Sequence, residues 1–199
     1  MMSSFPPNAR VVVIGAGIVG NSMVYHLARL GWKDIVQIDK GPLPNPGGST
    51  GHASNFIFLV DHSKEMTKFT LDCVAQYKEM GMFNQPGGIE IARTAERIEE
   101  LKHRVASAKS WGIDAELISP ARVKELVPYI NEKIILGGFY TPGAGTVDAL
   151  GAGTLMRERA KQLGALQSFS NIEVTGINVD VARGRVAGVT PLPGSTVDL

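Results

Sequence analysis

The chain has 199 residues, of which 44% are hydrophobic, and 20 Lys and Arg balance 19 Asp and Glu to a formal charge of +1. This is neither a disordered nor a fibrous composition, it has room for one large domain or one and a half ordinary ones, and it leaves no basic footprint for nucleic acid. No apolar run nears the roughly 20 residues of a membrane span, and MMSSFPPNAR has neither a signal core nor a transit-peptide arginine pattern. The one cysteine, Cys73, excludes an internal disulfide and CxxC chemistry and is expected in a helix core. A soluble, cytoplasmic protein is the expectation.

Val11 to Gly20, VVVIGAGIVG, opens with four β-branched residues that predict a buried parallel strand. Gly15, Gly17 and Gly20 follow as GxGxxG at the mouth of a helix. Gly15 permits the tight turn, Gly17 lets a pyrophosphate approach the backbone, and Gly20 lets the helix lie close on its strand. The helix, Ile18 to Leu30, carries Val19, Met23, Leu27 and Leu30 at helical spacing and ends at Gly31; His26 within it reads as a packed or solvent-facing residue. A second strand, Asp34 to Asp39, ends in a carboxylate 19 residues after Gly20, close to the offset at which an acid accepts hydrogen bonds from an adenosine ribose. Unpaired N–H groups at the helix start would face two phosphates. The order of strand, glycines, helix, strand and acid favours dinucleotide binding over a plain βαβ packing unit.

Lys40 to His52 holds three prolines and four glycines in thirteen residues and reads as a loop, while His62, next to Asp61, reads as a helix-flanking loop residue. From Ser63 the pattern is helical, with Met66, Phe69, Cys73, Val74, Tyr77 and Met80 as a core stripe. Gly87 to Ala92 alternates like a half-buried strand. Thr94 caps a helix whose Ile98, Leu101, Val105, Ala108 and Trp111 face inward, with His103 on the charged face. Glu116 to Ile118 predicts a short strand, and Ser119-Pro120 opens a helix that Pro128 stops. Ile134 to Tyr140 reads as strand, Thr141 to Gly145 as turn, and Asp148 caps a helix from Ala149 to Leu163 closed by Gly164. Ala165 to Phe169 predicts a third parallel strand. Ile172 to Val179, Arg185 to Thr190 and a piece near Val197 predict an antiparallel meander, with Arg183-Gly184 as a turn. The chain has no internal repeat and no recognisable pair of catalytic carboxylates or nucleophile triad.

The segments VVVIGAGIVG, IDKGPLPNPGGSTGHAS, FNQPGGIEIA, WGIDAELISPARVKELVP and ILGGFYTPGAGTVDA, in that order, resemble the flavoprotein amine oxidoreductases of the D-amino-acid-oxidase superfamily. The branch they resemble most is that of dimethylglycine oxidase, dimethylglycine dehydrogenase and sarcosine dehydrogenase. The resemblance runs over nearly the whole chain, and GGST followed two positions later by His is its most specific part. It implies an α/β, Rossmann-like FAD-binding domain of the glutathione-reductase type, a parallel sheet plus an antiparallel meander, with inserted helices and strands from a partial substrate domain. The implied organisation is 1–60 for the first part of the FAD domain, 61–147 for the insertion and 148–199 for the return.

The resemblance further implies FAD bonded covalently through the ring nitrogen of His52, an imidazole being a neutral nucleophile at physiological pH. Ser49, Thr50 and Gly51 match the pyrophosphate and ribitol region, Ile18, Val19, Asp39 and Lys40 the phosphates and adenosine, and Val174 a position whose backbone meets the adenine. The family usually has glycine three residues after this histidine; here Asn55 stands there, a residue that tolerates positive φ. Similar enzymes oxidise the N-methyl carbon of a small methylated amino acid and pass hydride to the flavin, with tetrahydrofolate as acceptor of the one-carbon unit only where a further C-terminal domain exists. A complete family member returns from the meander with another parallel strand beside the first and then builds a substrate domain, whereas this sequence ends at Val197-Asp198-Leu199; the chain is therefore expected to be truncated, its catalytic residues unknown and the edge of the Val11 strand open to self-association or a partner chain. The alternatives are a nicotinamide-dependent dehydrogenase, in which GGSTGH has no role, and a non-catalytic FAD-binding subunit completed by a partner.

Overall fold

The computed structural model describes residues 6–61 and 63–192. His62 and the strand expected near Val197 lie outside the described residues. In chain order the elements are β1 (Val11–Ile14), α1 (Ile18–Arg29), β2 (Ile35–Ile38), α2 (Ser49–His52), β3 (Phe56–Ile57), α3 (Lys64–Glu79), β4 (Phe83–Asn84), β5 (Gly88–Ala92) and α4 (Ala95–Ser110). They continue with β6 (Glu116–Ile118), α5 (Pro120–Leu126), a 3-10 turn at Glu132–Ile134, β7 (Gly137–Thr141), β8 (Gly145–Val147), α6 (Ala149–Gln162), β9 (Leu166–Phe169), β10 (Val174–Asp180) and β11 (Arg185–Pro191). The chain forms two units, one of the residues up to Ser54 with those from Asp148 on, the other of Asn55–Val147.

In the first unit a parallel sheet runs in the order β1, β2, β9, with Ile14 opposite Ile38 and Ile38 opposite Phe169. Every residue of β2 is buried. Because side chains alternate along a strand, Val11 and Val13 pack with Val24, Ala28, Ala160 and Leu166 on the face of α1 and α6. Val12 joins Val36, Ile38, Phe169 and Ile172 on the other face, which Val174 and Val189 of the β10–β11 hairpin cover. Gly31, at φ +85°, and Gly164, at φ +64°, sit past the ends of α1 and α6, in the left-handed conformation a helix stop favours.

Two readings of this unit need correction. The β1 strand, expected to be buried, is half-buried with Ile14 exposed, its one described neighbour being β2, in keeping with the open edge expected of it. The Val19, Met23 and Leu30 stripe of α1 faces outward, Val19 at 78% exposure, while Asn21, Val24, Tyr25 and Ala28 turn inward. Close approach of α6 selects that face: a Cβ on Gly153 would lie 2.8 Å from Asn21 Nδ2. His26 is half-buried, its ring centroid 5.1 Å from that of Tyr25.

The second unit holds two antiparallel sheets, β5–β7–β6 and β3–β8–β4. Phe139 packs with Leu101 and Ala108 of α4, and the neighbouring Tyr140 with Val123 of α5, so one strand serves two cores. Thr94 and Ser119 cap α4 and α5 as their sequences predict, and His103 lies on the exposed face of α4. Part of the α3 stripe forms core, with Val74 in the cluster of Leu101 and Phe139, Met80 buried and Tyr77 half-buried, but Met66, Phe69 and Cys73 are exposed and Thr67 is buried in their place. Thr67 Oγ1 accepts a hydrogen bond from Asp61 N–H at 3.1 Å, which turns the Thr67 side of the helix inward. The β7 strand begins at Gly137 because Ile134 closes the 3-10 turn capped by Asn131, and the Thr141 turn leads into the short β8.

Candidate nucleotide-binding site

The glycine turn is built as the spacing requires. Gly15 N–H donates to Ile38 O at 2.7 Å, ending the sheet ladder, and its φ of +110° is a conformation that side chains rarely adopt. A Cβ there would meet nothing within 4 Å, so the turn borders open space. A Cβ on Gly20 would lie 2.1 Å from Gly15 O, so only glycine lets α1 start this close to the turn. Gly17, extended at φ −69° and ψ −178°, begins α1 with no side-chain cap.

Asp39 is held beside the turn. Its Oδ2 accepts from Ala16 N–H at 2.7 Å and its Oδ1 from Gly41 N–H at 2.8 Å, leaving a lone pair on each oxygen. Gly15, Asp39, Lys40 and Val174 line one cleft of about 300 Å³, with Ile14, Ile38, Ile172 and Glu173 completing its walls. Four residues from three separate stretches of sequence are thereby brought together. Lys40 is otherwise exposed.

The Gly/Pro segment does not stay a loop throughout, because Ser49–His52 forms one helical turn, α2. Thr50 Oγ1 accepts from Ile18 N–H at 2.9 Å across 32 residues, and a Cβ on Gly17 would stand 3.0 Å from that oxygen. Gly51 lies under Asn45, whose Oδ1 accepts from Gly47 N–H at 3.2 Å and would have to shift for a Cβ at position 51, 2.5 Å away. Ser49 and His52 are exposed at either end of the turn that carries Thr50. Asn55 adopts φ +60°, the left-handed conformation that a glycine would supply. Val19 leaves its side chain exposed.

The N–H groups of Gly17, Val19 and Gly20 have no acceptor among the described residues. Unfilled donors at the start of a twelve-residue helix, a carboxylate with spare lone pairs and a half-apolar cleft form a donor set that suits a dinucleotide's pyrophosphate, ribose and base. No group of three or more His, Cys, Asp or Glu is placed to hold a metal among the described residues. Asn21, Gln37 and Asn45 escaped the sequence reading; the one signal was a glutamine inside the aliphatic strand IVQI. On α6, Arg157 is buried with Nε 3.6 Å from Glu158 Oε1, and burial pulls its guanidinium below its ordinary range.

Comparison with known proteins extends this. Mitochondrial sarcosine dehydrogenase of Homo sapiens is 34% identical over 201 residues, which span 96% of this chain and 22% of that protein. Mitochondrial dimethylglycine dehydrogenase of Rattus norvegicus is 33% identical over 168 residues, 81% of this chain and 19% of its own length. Among solved structures, L-proline dehydrogenase from P. horikoshii superposes with a TM-score of 0.83 at 25% identity, covering 94% of this chain and 50% of that one. The chain thus spans about a fifth of the length of these curated relatives. Residues 10–198 match the model of the FAD dependent oxidoreductase family, and a match that leaves so little of the sequence outside it places this chain in that family.

Proposed function

We propose that this chain carries the nucleotide-binding part of a flavin-dependent amine dehydrogenase or oxidase that oxidises the N-methyl C–N bond of a small methylated amino acid such as sarcosine or dimethylglycine. The observation that carries the reading is the Thr50 bond to Ile18 N–H, which fastens the GGSTGH segment to the glycine turn. A nicotinamide dinucleotide would use the turn and Asp39 equally well but would give His52 no task.

In this reading the N–H groups of Gly17, Val19 and Gly20, with the Thr50 and Ser49 hydroxyls, hold the pyrophosphate and ribitol region of FAD. Asp39 accepts from the adenosine ribose, and the cleft between Gly15 and Val174 takes the adenine. His52 would hold the flavin through a bond from an imidazole nitrogen to the ring-methyl carbon, whose C–H bond breaks as its electron pair passes to the flavin ring and the methyl and imidazole protons both leave. Bound FAD would supply the hydride acceptor for C–N oxidation, chemistry that no side chain offers. Among the described residues β1 pairs with β2 alone, and its other edge has room for a further strand, whether from the same polypeptide, a partner chain or a second copy.

Two measurements test the proposal. Protein precipitated with acid should keep its yellow colour in the pellet, and His52→Ala should release the colour to the supernatant without unfolding the chain. Sarcosine or dimethylglycine, added without oxygen to the FAD-loaded whole protein, should abolish the visible absorbance of oxidised flavin. Absorbance untouched by either amine would rule out the substrate class.

A further inference from the structure

Beneath the glycine turn lies a pair of buried amides that the nucleotide contacts do not include. Gln37 is 0% exposed at the centre of β2, and Asn21 is 3% exposed in the first turns of α1. Gln37 Nε2 donates to Gly15 O at 3.2 Å and to Asn21 Oδ1 at 3.1 Å. Asn21 Nδ2 donates in turn to Ala16 O at 2.9 Å. The two side chains therefore hold two successive carbonyls of the turn, and Gly153 on α6 leaves just enough room behind Asn21.

A trans peptide is planar, with its C=O and N–H pointing in opposite directions. Fixing Gly15 O fixes the Ala16 N–H of the same peptide on the far side, where it meets Asp39 Oδ2 at 2.7 Å. Fixing Ala16 O likewise fixes the Gly17 N–H, which has no acceptor among the described residues. We propose that Gln37 and Asn21 are positioning residues that aim these two N–H groups, one at Asp39 and the other at the bound pyrophosphate. The inference rests on the FAD reading above.

The pair also fills its core position poorly. Gln37 Oε1 is buried and has no hydrogen-bond partner, a state that an aliphatic residue would avoid. An aliphatic residue at this position would spare that oxygen but would leave Gly15 O and Asn21 Oδ1 without their donor, so what the amide supplies is the two bonds made by its Nε2.

The double variant Asn21→Val, Gln37→Leu in the full chain separates orientation from packing. Its FAD-free melting temperature should fall, because Gly15 O and Ala16 O lose their donors, and the FAD affinity of the folded fraction should fall about tenfold or more, the loss expected when a charge-assisted hydrogen bond is misaligned. A merely structural pair would lower the melting temperature and leave the affinity of the folded fraction unchanged. Wild-type FAD affinity in the variant overturns the proposal. A readout independent of FAD is amide exchange at Ala16, which Gln37→Leu should speed about tenfold as the bond to Asp39 loosens. Unchanged exchange there also overturns it. Failure of the wild-type chain to bind FAD would instead remove the cofactor reading and leave the exchange result to decide the positioning role.

Discussion

The helices of the two units begin in different ways. In Asn55–Val147, Ser63, Thr94 and Ser119 each accept a hydrogen bond from the backbone N–H three residues on, at 3.2, 3.3 and 3.2 Å, so α3, α4 and α5 satisfy their own ends. In the other unit α1 begins on a glycine with no side chain, and its one filled donor reaches an acceptor 32 residues away. The difference is not general to the unit: the single turn α2 also starts on an uncapped glycine, Gly48, but α6 is capped by Asp148, which accepts from Gly151 N–H at 2.9 Å. A helix start that the local sequence does not satisfy is left to water, to distant chain or to a ligand. The cores differ in the same sense. Asn21, Gln37, Arg157 and Ser168 are buried in the first unit, against Thr67 and Thr141 in the second.

The strongest way to break this contrast is at Gly20. Gly20→Val drives a side chain into Gly15 O, a backbone atom, and should lower stability by about 3 kcal/mol in urea unfolding and abolish FAD binding. Next come two matched changes at helix starts. Thr50→Val should reduce FAD affinity about tenfold, the effect of one misplaced hydrogen bond. Ser119→Ala should cost about 1 kcal/mol of stability and leave FAD affinity alone. Equal loss of affinity in both would erase the distinction between a site-forming helix start and a structural one.

Smaller effects sharpen the comparison of cores. Replacing Arg157, a poorly paired buried charge, by methionine should leave stability unchanged or raise it by about 1 kcal/mol in thermal unfolding. In the second unit, partial burial and then Asp72 push the Cys73 thiol up. Its thiolate is therefore scarce at neutral pH, and alkylation should be slow there and quicken as pH rises. Asp72→Asn should speed alkylation about twofold at pH 8 by removing the repelling charge.

Features that depend on neighbouring residues were legible in the sequence. The caps at Thr94, Ser119 and Asp148 and the stops at Gly31 and Gly164 follow from side-chain reach and positive φ. The inward face of α4 could be read because charged residues fill its other side. In α1 and α3 apolar residues lie on more than one side, so periodicity alone could not choose between them; packing against α6 and the Thr67 bond decided. β3, β4 and β8, two or three residues each, are too short to show a period. Within the site, the glycines and Asp39 announced themselves through spacing. The Thr50 bond to α1 is a tertiary fact that no local pattern encodes, and the amides under the turn left one trace, the glutamine inside the aliphatic strand IVQI.

The account stands on the glycine turn and the GGSTGH segment gripping one nucleotide. Hydrogen exchange of the whole chain during an FAD titration tests this directly. Residues 15–20 and 49–52 should gain protection together, at a common FAD midpoint. Protection confined to one segment, or two separate midpoints, would contradict it.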